Sequence, residues 1–573
     1  MSTDIREDDV PPRRAWLLAV LIAAALFAAV VPTLRWVEFT NGNENIVVQT
    51  ALEMRHGGPK LLPHLLGEPR VKKPPLVAWI ATAAMRQPTI DRLKDNATSD
   101  VAYRDLALQV RWPSLLAACV LVLATFDFGR TWGGARVGLC SAMAVATCYL
   151  SFKYMRQVTT DAHLTAWVAV ANACLARGLL RGGRWTAALG GGLAIGVAFL
   201  CKGPVALVQT ALPALAVLVV LHARRPKPDR PRERDLQTTA ATIAGVAIAL
   251  LVALPWFVYV IATVPDVAKV WATEVTREGA TNLDVSNPIV YLELGLLTAP
   301  WFVFGIVGLI ALWQLRRVRT AWTPMIFAVV PLLVMVWFRD RKERYMLPMV
   351  MPACVVCGYG AAAWMRSWTR GRTRGDVVVL AIHGVALLAA GLALAAVGAT
   401  KLKRLDGGPW FERPLAVWAA MAMVVLAGVV VVFVRRHAWV AIAATFVAML
   451  GATSLYYSGY RYDRGGLAPL KPLADAIRAG APDAVVYDWL PRGRADEQLA
   501  VYLDKTITRA DPATLAYSDR PAVLICRQAR INHELEALPA LGPQWKKIAS
   551  APEGSTVWSA FRLVPSPGTP GEG

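Results

Sequence analysis

Asn43 and Glu44 open the run Asn-Glu-Asn-Ile-Val-Val-Gln-Thr, directly after the first hydrophobic stretch, and Lys72-Lys73-Pro74-Pro75 follows. A carboxylate can deprotonate a hydroxyl or orient it, and nearby lysines can hold an anion whose charge grows during reaction. Three more groups of this kind recur further along: Arg156 with Asp161, Lys202 in Lys-Gly-Pro, and Arg344-Tyr345 in the run Arg339 to Pro348. Their chemistry suits transfer from a lipid phosphate. Lys73, Lys202 and Arg344 are candidates for the leaving anion, and Glu44 and Asp161 for acceptor base and orienting carboxylate. Each has a plainer alternative. Glu44 suits a helix N-terminus, Asp161 could cap a helix with Thr159-Thr160, and Lys202 could snorkel from a helix end. Tyr345 could donate its hydroxyl to a phosphate or pack against lipid. His64 is a candidate for a sugar pocket or a hydrogen-bonded loop histidine.

The elements that must position these residues are membrane helices. The chain has 573 residues and is 56% hydrophobic, with mean hydropathy +0.42. Apolar runs long enough to cross a bilayer recur from Trp16 to Tyr457. The net charge of +21 falls largely in clusters between these runs, which the positive-inside rule explains better than nucleic-acid binding. Arg13-Arg14 place the N-terminus in the cytoplasm. With the later basic clusters also inside, spans are expected near 15–36, 109–127, 137–153, 162–178, 185–200, 203–222 and 238–262. Others are expected near 290–315, 321–338, 345–365, 377–399, 415–434 and 438–457, so about thirteen helices leave the C-terminal segment outside. The first span is read as a retained helix, because its apolar core is long and no small-x-small cleavage site precedes Trp36. On this topology all the candidate site residues reach the outer face. The charged run at 339–345 then breaks the positive-inside pattern, which favours a functional reading of that loop.

Residues 37–108 form a large first outer loop within a membrane domain spanning 1–457. In that loop Ile46, Val47, Ala51 and Met54 recur at helical spacing, predicting a short amphipathic helix at the membrane surface. Leu76–Met85 is apolar but too short to span, and reads as a re-entrant or interfacial helix. From Ser458 the hydropathy drops, and a small soluble α/β domain is expected over 458–565, followed by a Pro/Gly-rich disordered tail at 566–573. Helices are expected in LADAIRAG and DEQLAVYLDK, and strands in AVVYDWL, AVLICRQ and TVWSAFRLV. Seven of the eight cysteines lie in or beside spans, so no disulfide framework is implied.

The order NENIVVQTALEM, LLPHLLGEP, VKKPPLVAW resembles the first outer loop of the GT-C glycosyltransferases. It is most similar to the lipid A aminoarabinose transferases and protein O-mannosyltransferases, grouped as glycosyltransferase families 39 and 83. Arg156 with Asp161, Leu200 to Pro204 and Arg344 to Pro348 resemble later motifs of that group, in the same order. The resemblance implies an all-α polytopic membrane fold with an outer C-terminal domain. It also implies an inverting, polyprenyl-phosphate-dependent enzyme of the bacterial inner membrane, acting in the cell envelope. Catalysis there is assigned to the aspartate of an Asp-Glu pair, and this chain has Asn43 at that place. An amide cannot act as a base at neutral pH, so Glu44 or Asp161 takes over, or the reaction has changed or lapsed. Lys72 stands where the aminoarabinose transferases carry a glutamate implicated in metal binding, which argues against a metal there. No other cluster has metal-ligand spacing.

The expected function is transfer of a sugar from a polyprenyl-phosphate carrier to a lipid, protein or glycan acceptor on the periplasmic side. No cofactor is called for. The alternatives are a lipid-linked glycan transporter or flippase, and a lapsed sugar-lipid binding protein. A passage would need charges deep within the helices, whereas here they crowd at the outer ends.

Overall fold

A computed structural model describes residues 10–35, 39, 42–95, 97–182, 184–222, 233–278, 297–335, 343–402, 438–459, 470–489, 497–510, 515, 520–531, 534–535, 541, 544–553 and 556–564. The chain divides into two compact units, one of residues 1–34, 71–77 and 112–462, the other of 35–70, 78–111 and 463–573.

The helices of the first unit begin with α1 (Pro12–Val30). The second unit contributes α2 (Gly42–Arg55), α3 (Leu76–Ala84, from residue 78) and α4 (Gln87–Leu93). The long helix α5 (Ser99–Gly133) enters the first unit at Trp112. There follow α6 (Ala135–Thr147), α7 (Tyr149–Tyr154), α8 (Thr160–Arg181), α9 (Arg184–Lys202), α10 (Val205–Gln209) and α11 (Ala211–His222). Then come α12 (Glu233–Thr263), α13 (Val267–Glu278), α14 (Phe302–Gln314), α15 (Thr323–Met335), α16 (Val350–Gly371), α17 (Arg374–Leu402) and α18 (Ala438–Gly459). Every expected span contains a helix except 415–434, which lies outside the described residues. Among the described residues, 6 helical stretches are long and apolar enough to cross a membrane, and shorter apolar helices accompany them. The fold is therefore that of a polytopic helical membrane protein.

Two boundaries move from where hydropathy puts them. The span expected at 109–127 is continuous from Ser99, because Pro113 is accommodated inside α5. The one expected at 137–153 stops at Thr147, where Cys148 turns extended and the Tyr149 N–H donates to the Ala299 carbonyl at 3.2 Å. Helices approach closely where side chains are small, as lipid-embedded interfaces require. A Cβ at Gly192 of α9 would lie 2.0 Å from the Gly245 carbonyl oxygen of α12. One at Gly360 of α16 would lie 1.8 Å from the Phe304 carbonyl oxygen of α14.

In the second unit α2 lies where a helix is expected, but it is not amphipathic. Glu44, Asn45, Gln49, Thr50 and Glu53 are buried along with its apolar residues. Burial on this scale requires partners, and they are present. Glu53 accepts from Gln49 Nε2 at 3.0 Å and from the Leu66 N–H at 2.7 Å. That N–H belongs to the tight hairpin of β1 (His64–Leu65) and β2 (Glu68–Pro69), whose turn residues Leu66 and Gly67 both have positive φ.

The C-terminal part of this unit contains α19 (Lys471–Gly480), β3 (Val485–Trp489), α20 (Glu497–Leu503), β4 (Thr508–Arg509) and β5 (Ala522–Ile531). It continues with β6 (Glu534–Leu535), β7 (Trp545–Glu553) and β8 (Thr556–Leu563). The strand order is β4-β3-β5-β8-β7, with β6 pairing β5, parallel among the first three and antiparallel from β5 to β7. Leu524, Cys526, Trp545 and Leu563 form a buried cluster on it. The unit ties its distant segments together. His56 meets Asp504 at 2.8 Å, Gln498 Nε2 donates to the Phe39 carbonyl at 3.2 Å, and Tyr103 stacks on Tyr502 at 4.8 Å.

Candidate active site

In the first unit, three sequence candidates meet at the start of α8. Thr159 is the N-cap residue, its side chain accepting from the Ala162 N–H. Asp161 is thereby freed from capping, and its buried carboxylate faces cations instead. Lys202 Nζ bonds its Oδ1, and Arg344 Nε lies 3.5 Å from its Oδ2. Lys202 is the last residue of α9, where Gly203 turns the chain with φ +72 and its N–H closes on the Phe199 carbonyl at 2.7 Å. It is not a snorkelling lysine, since its side chain is only 9% exposed. Tyr345 completes the group. Its ring lies 4.2 Å from Lys202 Nζ and 5.4 Å from the Arg344 guanidinium carbon, so cation–π attraction helps to hold both cations. Among the described residues, two cations face one carboxylate here, an excess of positive charge.

Arg344 and Tyr345 sit on a 3-10 turn, Glu343–Met349. Glu343, not singled out from sequence, accepts from Lys153 Nζ at 2.5 Å and from the Tyr154 hydroxyl at 3.1 Å. Successive residues of one turn thus join two ion-paired groups, one on α7 and one on α8. The residues Arg339 to Lys342 of the same loop lie outside the described residues. Arg156 is buried and donates to the Thr33 carbonyl at 3.0 Å. It borders a small, largely apolar groove lined by Leu26, Val30, Leu115, Val122 and Phe152.

The opposite end of α8 has a different character. Arg177 and Arg130 both pair with Asp127, Arg181 donates to the Arg130 and Thr131 carbonyls, and Trp132 Nε1 reaches the Thr320 carbonyl. The 22 residues of α8 give a rise of about 33 Å between the two ends, close to the thickness of a bilayer's hydrocarbon core. The Asp161 group and the group of Arg130, Arg177 and Arg181 therefore lie at opposite ends of α8.

Lys72-Lys73-Pro74-Pro75 also belongs to the first unit. Lys72 pairs with Glu274 of α13 at 3.2 Å, and Trp271 Nε1 donates to the Val71 carbonyl at 2.9 Å. Lys73 is half-buried, between these contacts and two buried prolines.

The remaining candidates are in the second unit. Glu44 is buried and makes a two-pronged pair with Arg111: Nε to Oε1 at 2.9 Å and Nη2 to Oε2 at 2.8 Å. The guanidinium carbon lies 4.7 Å over the Phe39 ring. This geometry occupies both carboxylate oxygens, and Arg111, like Glu343, is a residue that sequence reading missed. Asn43 is half-buried in the first turn of α2, and His64 is half-buried on β1. Among the described residues no group of three or more His, Cys, Asp or Glu is placed to hold a metal ion.

Comparisons with known proteins agree with this picture. A family model described as dolichyl-phosphate-mannose-protein mannosyltransferase matches residues 102–259. An undecaprenyl phosphate-alpha-4-amino-4-deoxy-L-arabinose arabinosyl transferase of Pseudomonas paraeruginosa is 26% identical over 422 residues, covering 72% of this chain and 70% of its own length. One from Aeromonas hydrophila is 24% identical over 488 residues, covering 83% and 79%. The crystal structure of ArnT from Cupriavidus metallidurans in the apo state superposes with a TM-score of 0.68 at 16% identity, covering 96% of this chain and 98% of that one. Its complex with undecaprenyl phosphate gives a TM-score of 0.66 at 18% identity, covering 94% and 97%. The chain has the fold of that protein, and its sequence resembles the GT-C aminoarabinose transferases.

Proposed function

We propose that this protein is a multi-pass enzyme of the bacterial inner membrane that transfers a sugar from a polyprenyl-phosphate carrier to a lipid acceptor. The observation that carries the reading is the net-positive group of Lys202, Arg344, Asp161 and Tyr345 at one end of α8. It stands within the fold of a protein whose structure has been solved with undecaprenyl phosphate bound. The relatives' names supply the class of donor. On this reading Lys202, Arg344 and Lys73 stabilise the phosphate as the glycosidic bond breaks, through charges already in place before the reaction. Asp161 bridges the two cations of its group, offsetting their repulsion, and is the carboxylate assigned to orient the acceptor. Arg156 and Tyr345 are assigned to substrate binding. The outer face is assigned to this group, and the arginines at the far end of α8 to the cytoplasmic side; the C-terminal segment is assigned to the periplasm on the expected count of spans.

Asn43 supports a second reading, in which donor binding persists and transfer has lapsed. Purified protein in liposomes, given undecaprenyl-phosphate pentoses and hexoses together with lipid, protein and glycan acceptors, separates the two. Turnover by the wild type with a lipid acceptor, abolished in Lys202→Ala, is expected. Turnover that appears only in Asn43→Asp would mark a lapsed enzyme. Transfer to protein or glycan alone would replace the lipid acceptor.

A further inference from the structure

Lys73 is the candidate phosphate ligand with the least regular backbone around it, and the structure shows what fixes that backbone. Downstream, Pro74 and Pro75 have locked φ angles, and a residue preceding proline is itself held extended. Upstream, α13 grips the segment at two adjacent residues, through the Trp271 indole on the Val71 carbonyl and Glu274 on Lys72. Trp271 and Glu274 are three residues apart and so lie on one face of the helix. Trp271 is in turn anchored, its ring 5.5 Å from Phe257 of α12, which is 5.1 Å from Phe199 of α9. Phe199 lies one turn before Lys202. A continuous set of contacts therefore runs from the Lys72–Pro75 segment to the lysine that pairs with Asp161.

We propose that Trp271 and Glu274 are positioning residues for the polyprenyl phosphate: they hold the segment so that Lys73 and Lys202 keep a fixed spacing for one phosphate. This rests on the functional reading above, in which both lysines bind that group. The Lys72–Glu274 pair is half-exposed, with side chains 49% and 25% accessible. Such pairs add little to overall stability, so its effect should appear in ligand affinity. A preorganised cation binds more tightly because less freedom is lost on binding.

The test is the affinity of purified full-length protein for undecaprenyl phosphate, measured beside its thermal unfolding. Glu274→Gln should weaken binding about five- to tenfold with an unchanged unfolding midpoint, and the reversed pair Lys72→Glu/Glu274→Lys should return it to within about threefold of wild type. Lys73→Ala should weaken binding at least as much, and Glu274→Gln should add no further loss on that background. Wild-type affinity in Glu274→Gln, or a loss that adds in full to that of Lys73→Ala, overturns the proposal. If the wild type does not bind undecaprenyl phosphate, or Lys73→Ala binds as the wild type does, the functional reading has failed and the positioning role falls with it.

Discussion

Glu44 and Asp161 are both buried carboxylates facing cations, yet their surroundings assign them different work. Glu44 gives both oxygens to one guanidinium, in a pair that is nearly inaccessible on either side. Asp161 divides its oxygens between an ammonium and a guanidinium carried on separate elements, beside an aromatic ring. The first arrangement fixes α2; the second makes a largely buried charged group that carries more than one cation. Removing one partner of a buried pair leaves the other charge uncompensated, at a cost of about 3–5 kcal/mol. Glu44→Gln should therefore lower the unfolding midpoint markedly, and Glu44→Gln/Arg111→Met should regain most of it. The double variant also decides the chemistry. If it is folded and still transfers sugar, Glu44 is a structural residue; if it is folded and inert, Glu44 is the base after all.

At the scale of elements, placement of the site depends on how closely helices can pack. α9 carries Lys202 at its end and touches α12 where Gly192 and Gly245 allow backbones to meet. Gly192→Ala inserts a methyl into the space of a carbonyl oxygen, an overpacking worth about 1–3 kcal/mol. Because α9 must shift to admit it, turnover should fall more than donor binding or expression does. A variant with wild-type turnover would show that α9 can move without disturbing Lys202. The helices of this unit are legible in the sequence because length and hydropathy suffice to reveal them. The strands β3, β5 and β8 are legible through their apolar residues, but β7 is not. It is an edge strand reading Trp-Lys-Lys-Ile-Ala-Ser-Ala-Pro-Glu, without the alternation of a half-buried strand, and its lysines guard an open edge. Asp161, Lys202 and Arg344 stand out in sequence because charge at membrane depth is costly. Glu343, Arg111 and Glu274 do not, since each gains its meaning from a partner between 67 and 202 residues away.

For the molecule as a whole, the second unit is closed by polar contacts between segments far apart in sequence, and one of them titrates. The hydrogen bond that His56 donates to the Asp504 carboxylate raises its pKa above the ordinary 6.5, against the opposing effect of burial. A raised folded-state value means that the pair's contribution is fully present below pH 6.5 and is lost as pH rises through the folded pKa. Thermal unfolding of the full-length protein, followed from about one unit below the ordinary imidazole value to well above it, should show wild type losing its advantage over His56→Gln as pH rises. A difference that stays constant with pH would mean that the imidazole is neutral throughout.

The three-part composition of that unit also has a consequence in time. Residues 35–70 and 78–111 leave the ribosome early, whereas the segment from 463 onward, which supplies Gln498, Tyr502 and Asp504, follows only after the intervening helices have been inserted. At synthesis rates of about 5–20 residues per second, Phe39, His56 and Tyr103 wait tens of seconds for those partners. Biogenesis of this protein thus ends when early and late segments close on each other, and the contacts that α20 supplies form last.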